Sequence, residues 1–187
     1  MTQFEYLSVL VSIIVGLALT QLLSGAARLI QLRRRVVMHP ATLWWMASLF
    51  LINVQVWWVA FDRRESREWN FFSFLLYLLI PIGLFLLSYL VLPDLGDEDR
   101  PDLRANFDDN RLWFFGLLAA LPAISLIEQV LREGRLPLDL DVGFRVAYLS
   151  LALVAMRVRS ARFHLWNAVG VLLLFAAYVL ALFLRLR

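Results

Sequence analysis

The chain has 187 residues, 61% of them hydrophobic, with a mean hydropathy of +0.73 and a formal net charge of +3. A soluble domain is about 45–50% apolar, and here the excess lies in runs long enough to cross a hydrocarbon core of about 30 Å, which leaves almost no room for a soluble domain. Cysteine is absent and all 18 basic residues are arginine, which excludes disulfides, thiolate metal sites, thiol nucleophiles, Schiff-base lysines and a P-loop lysine.

The first apolar segment, Phe4–Ile30, carries Ser8, Ser12, Gly16, Thr20 and Ser24 at a spacing of four, and Arg28 continues the count. Such a spacing stays close to one face of an α-helix. Small residues on that face let a second backbone approach, which is how helices associate in lipid. The segment therefore reads as a membrane helix packed against protein along its whole length. Its start lacks the basic region of a signal peptide and the apolar run is too long for one, so it is expected to stay in the mature protein.

Five more spans follow, at Ala41–Phe61, Trp69–Leu92, Leu112–Leu131, Val142–Val158 and Phe163–Leu184. The fifth is short and has Arg145 near its start. The fold class expected is an all-α integral membrane protein, one six-helix transmembrane bundle with short loops. All seven tryptophans fall near span ends, Trp44, Trp45, Trp113 and Trp166 at one boundary and Trp57, Trp58 and Trp69 at the other. That is the aromatic-belt pattern, and it argues against core tryptophans. The first, third and fifth loops hold ten of the 18 arginines, Arg33, Arg34 and Arg35 among them. By the positive-inside rule both termini then lie outside. Arginines gathered at helix ends are no nucleic-acid signal, and arginine-only basicity fits a GC-rich genome, hence a bacterial inner membrane.

Between the third and fourth spans, residues 93–111 hold seven acidic residues without the order of a calcium loop. They read as a solvated loop with a short helix starting near Asp102. The basic stretch Leu32–Val36 suits contact with anionic headgroups.

Glu128 is the most informative residue, about one turn inside the fourth span, where an ionised side chain usually turns toward protein or a wet cavity. Ser125 shares its face. Pro122 and Pro81 sit at mid-span, where proline frees a carbonyl and kinks the helix. Glu5, Ser8, Asn53, Gln55, Asn70, Tyr77, Arg145 and Tyr148 fall in the same leaflet. Glu128 either accepts a proton or ion, or pairs with Arg145 across one short loop; the pair is the favoured reading. Asn53 and Gln55, two residues apart, cannot share a helix face.

His39 and His164 lie at the opposite boundary. Two imidazoles at one level can hold haem in a bundle, but His39 precedes Pro40 in a loop, so both read as interfacial and no cofactor or metal is expected. No catalytic constellation stands out. The expected function is a small channel or transporter for an ion, proton or small solute, oligomeric, with its route between protomers. The alternative is a non-catalytic integral subunit of a larger membrane complex. The expected partners are the bilayer and a second copy or another integral subunit, with no nucleic acid.

Overall fold

The computed structural model describes residues 3–62, 71–93 and 100–182, apart from the side chains of residues 3–7, 60–62, 71, 73, 132 and 133. Six helices fill these stretches: α1 (Gln3–Gln31), α2 (Pro40–Asp62), α3 (Phe71–Leu90), α4 (Leu103–Glu133), α5 (Leu140–Arg157) and α6 (Ala161–Leu182). Among the described residues there is no strand, only an isolated bridge between Val37 and Asp102. Four helices hold runs long and apolar enough to cross a membrane, at Ser8–Gln31, Pro40–Val59, Leu103–Leu131 and Ala161–Leu182. The described residues are thus helical throughout their regular structure, with apolar helices of the kind found in membrane proteins. The apolar part of α3, Phe74–Leu90, is shorter, and α5 carries Asp141, Arg145 and Arg157 within 18 residues.

The fourth helix begins nine residues before the expected span. Asp102 caps it, its carboxylate accepting from the backbone N–H groups of Arg104 (2.8 Å) and Ala105 (3.1 Å), which satisfies two otherwise orphaned donors. Leu103 and Phe107 are buried and hold this first part of the helix against the bundle. Asn106 ties it to α3 through a hydrogen bond to the Leu90 carbonyl, 3.2 Å. The segment read as an acidic loop therefore ends at Asp102, and the short helix expected there is continuous with the fourth span. At 31 residues and about 1.5 Å per residue it exceeds the hydrocarbon thickness by a wide margin. It stops at Gly134, whose φ of 70° is a left-handed cap that returns its N–H to the Val130 carbonyl.

The helices form a closed ring in the order α1–α3–α4–α5–α6–α2 and back to α1, with α2 also touching α3 and α4 across the middle. His39, just before α2, and His164, in the first turn of α6, both lie against Phe107 near the start of α4, each at a ring-centroid distance of 5.1 Å. Helices α2, α4 and α6 therefore start at the same end, that of Arg33–Arg35. Toward this end the interior is a packed aromatic plug. Trp45 meets the edges of Phe114 and Phe115 at 5.2 and 5.5 Å, and Leu49, Leu84, Leu87 and Leu103 close around them with no exposure. In lipid such close van der Waals packing is what holds helices together.

Two expectations change here. Trp45 is a core residue, whereas Trp44, Trp57, Trp58, Trp113 and Trp166 are exposed as a belt requires; Trp69 lies outside the described residues. The small-residue stripe is not what α1 packs with inside the chain. Ser12, Gly16, Thr20 and Ser24 are exposed, and Ser8 is half-buried. The buried face is Val11, Val15, Ala18, Leu22, Gly25 and Leu29. A Cβ on Gly16 would meet nothing within 4 Å, whereas one on Gly25 would collide with the side chain of Leu92, two residues beyond α3. Gly25 is the close-approach glycine, one helix face away from the stripe.

Candidate functional site: a cavity among five helices

Opposite the aromatic plug, in the half of the bundle toward the α4–α5 turn, the helices line a half-open cavity of about 190 Å³. Every helix except α1 contributes to it. Its walls are mainly apolar, from Ile52, Val56, Ile80, Leu118, Leu121, Val171 and Phe175, and its polar groups are Gln55, Tyr77, Ser125, Arg145, Tyr148 and Tyr178. Pro122 sits in the wall. Pro81, fully buried, follows the lining residue Ile80.

The charges at the cavity form a chain across three helices. Asp141 is in the first turn of α5, whose N-cap is Asp139, accepting from Val142 N–H at 2.9 Å. One turn on, Arg145 pairs with the Asp141 carboxylate. Its Nη1 also donates to Gln129 Oε1 on α4 at 2.9 Å. From α6 the Tyr178 hydroxyl donates to the other Asp141 oxygen at 3.0 Å, and its ring packs edge-on against Phe144. The guanidinium thus meets a counter-charge and fixed acceptors before any solute arrives, which is how a charge is kept inside a bundle.

The Arg145–Glu128 pair is replaced by this arrangement: the guanidinium takes Asp141 and Gln129. Glu128 is buried, but its side chain is not part of the cavity wall. The two neighbours differ by helical phase: Gln129 meets Arg145 of α5, and Glu128 is turned about 100° away from it around the helix axis.

Of the other expected residues, Gln55, Tyr77 and Arg145 are brought together, along with Ser125 and Tyr148. Asn53 is fully buried off the cavity wall, its amide donating to the Leu49 carbonyl at 2.8 Å. Asn53 and Gln55 do take different faces. Asn70 and the side chain of Glu5 lie outside the described residues. Asp141, Gln129 and Tyr178 were missed as site residues. The Asp141–Arg145 spacing of four is a legible helix pair; Tyr178, 37 positions from Asp141, carries no local signal.

Tyr148 stands apart from its polar neighbours. Its hydroxyl is buried and has no hydrogen-bond partner among the described residues. An unsatisfied buried hydroxyl is costly; Tyr148 lines the cavity, but its hydroxyl oxygen is covered.

At the other end the histidines are buried, not interfacial, because the extension of α4 puts Phe107 between them. His164 Nε2 lies 2.9 Å from the Val158 carbonyl, which also accepts from Arg111 at 2.6 Å. His39 Nδ1 lies 3.1 Å from Thr42 Oγ1. Burial holds the His39 imidazole below its ordinary pKa and Arg104 adds to this, against opposite pulls from Asp108 and Asp102. Among the described residues no group of three His, Asp or Glu side chains comes together as a metal site. Comparisons with protein-family models, with curated proteins and with solved structures give no match.

Proposed function

We propose that the six helices form one six-span membrane bundle, with both termini on the non-cytoplasmic side of a bacterial inner membrane, that transports a small solute through the cavity among α2 to α6. The observation that carries this reading is the asymmetry of the interior. One half is sealed by Trp45, Phe114 and Phe115, and the other half holds a cavity. A carrier closed on one side has this arrangement. Pro81 and Pro122, next to or in the cavity wall, are the places where α3 and α4 can bend.

The lining narrows the solute class. It is too apolar for a hydrated ion, so the ion and proton versions of the reading lose support. An engineered cavity of about 150 Å³ holds benzene; one of about 190 Å³ suits a solute of one small ring or a short branched chain. Gln55 and Ser125 in the lining can donate, so the solute carries an acceptor such as an amide or carbonyl oxygen. The route lies within one chain, in place of the expected route between protomers.

The test is flux into liposomes of radiolabelled benzamide, as a small ring with an acceptor, by wild type and by Leu118→Trp, which fills the cavity. Saturable uptake that the variant loses supports the reading. Uptake unchanged by the variant, or no uptake above empty liposomes, overturns it.

A second reading, an integral subunit of a larger complex or an oligomer, is favoured by a separate observation. The stripe of Ser12, Gly16, Thr20 and Ser24 faces outward with open space at Gly16. The chain has no cysteine, so Gly16→Cys adds a single reactive thiol. Cross-linking from that position in native membranes to a protein of fixed mass supports this reading; cross-linking to lipid-soluble reagent alone counts against it.

A further inference from the structure

We infer that the groove between the end of α1 and the start of α2 is a binding site for an anionic phospholipid, with one acyl chain in the groove and the phosphate on Arg33–Arg35. The groove has a volume of about 530 Å³ and is lined by Leu22, Ala26, Met46, Ala47 and Phe50, with Arg33 at its mouth. Ala26 and Ala47 are the reason a hollow exists, since larger neighbours on both helices stand out around them. Leu23, Ile30 and Leu43 on its rim are exposed, so the groove opens outward to the hydrocarbon and away from the ring's interior.

Its length fits one leaflet. From Leu22 to the end of α1 at Gln31 is nine residues, roughly 14 Å along the helix, with Arg33 in the turn just beyond, against about 15 Å for half the hydrocarbon core. A chain lying in it therefore ends at the arginines. Those arginines are held in place. The turn after α1 closes through hydrogen bonds from Arg35 and Val36 N–H to the Leu32 carbonyl, at 2.7 and 3.1 Å. Val36 is buried, and Val37 is pinned to the start of α4 by bonds to Pro101 and from Leu103, at 3.0 and 3.2 Å. Arg33 is steadied over the groove by donating from Nη1 to the Ile30 carbonyl at 3.0 Å. All three side chains are exposed, and among the described residues no carboxylate pairs with them. Guanidinium groups take phosphate in a bidentate fork. A zwitterionic lipid offers the same chains and phosphate, but its ammonium must then sit among three like charges. The site therefore selects net negative charge. It stands apart from the transport reading, since it shares no residue with the cavity.

The experiment is native mass spectrometry of the full chain in detergent with dioleoylphosphatidylglycerol or dioleoylphosphatidylcholine added. The proposal expects one phosphatidylglycerol held about tenfold more tightly than phosphatidylcholine, the worth of one charge-assisted contact. Glycerol phosphate, which has the phosphate and no chain, should not compete. Arg33→Gln, Arg34→Gln and Arg35→Gln together should erase the preference. Because losing these arginines can also disturb membrane insertion, Ala47→Phe provides an independent test: it fills the groove from an exposed position and should lose the bound lipid while keeping the arginines. No preference in the wild type, a preference surviving Ala47→Phe, or competition by glycerol phosphate would each overturn the site. So would a groove occupied by a co-purifying protein in place of lipid.

Discussion

Arg145 of α5 donates to Gln129 of α4 at 2.9 Å while holding Asp141 on its own helix, so the residue that receives the guanidinium is the immediate neighbour of Glu128. Asp141→Asn is expected to leave the guanidinium without its counter-charge and to cost about 1.5–3 kcal/mol, the range for a hydrogen bond to a charged group. The fully buried figure does not apply, because both side chains keep about a fifth of their exposure, 19% and 22%. Asp141→Asn with Arg145→Gln should recover most of the loss in thermal unfolding in detergent. The same coupling measured in a Glu128→Gln background should be unchanged; a coupling that vanishes there would mean that Glu128 belongs to the network.

The two glycines of α1 separate the chain's own packing from any packing with a partner. Gly25→Leu forces Leu92 aside and should destabilise the chain by about 1–3 kcal/mol, as overpacking does. Leu92→Ala in the same chain should give part of that back. Gly16→Leu should leave the monomer's melting temperature where it was, because the space there is open. A monomer destabilised equally by both changes would mean that the stripe packs within the chain.

Tyr148→Phe removes a buried hydroxyl that has no partner. The unfilled protein should gain about 1 kcal/mol, the low end of what such a group costs. A variant that is less stable than wild type would show that the hydroxyl has a partner after all.

His39 gives stability a pH dependence whose sign follows from its burial. Its folded pKa is lowered, so as pH falls through the ordinary imidazole value of about 6.5 the unfolded chain binds the proton first. Stability is therefore complete above that value, declines as pH falls toward the lower folded pKa, and levels off below it. His39→Asn keeps a side chain suited to a helix N-cap and does not titrate. The difference between the two unfolding curves should widen between about pH 7 and about pH 5. Parallel curves would place His39 in water.

Most of the helices were legible because apolar length is a strong signal and needs no tertiary information. The start of α4 was not, because Asp102, Arg104 and Asp108 read as loop residues; what makes them helical is a cap and two buried anchors, Leu103 and Phe107, four apart. The stripe on α1 was correctly seen as a face, but periodicity cannot say which face turns inward, and the heavier face with Val15 and Leu22 does. At the cavity, Gln55, Tyr77 and Arg145 were recognised as polar groups at one depth. Depth alone could not separate Gln129 from Glu128, since adjacent residues differ by about 100° around the axis. Tyr178 required knowing that α6 lies beside α5.

The order of the ring bears on how the chain is built. Helices α3, α4 and α5 pack as they follow one another, whereas α2 finds α1 at once but meets its larger neighbour, the parallel α6, only after α3, α4 and α5 have been made. Until α6 enters, the cavity lacks Val171, Phe175 and Tyr178. Helix α6 therefore closes the ring by entering between two helices already present, α5 and α2. A nascent chain halted before Ala161 keeps that seam open toward lipid, where a quality-control protease or an insertase can reach it.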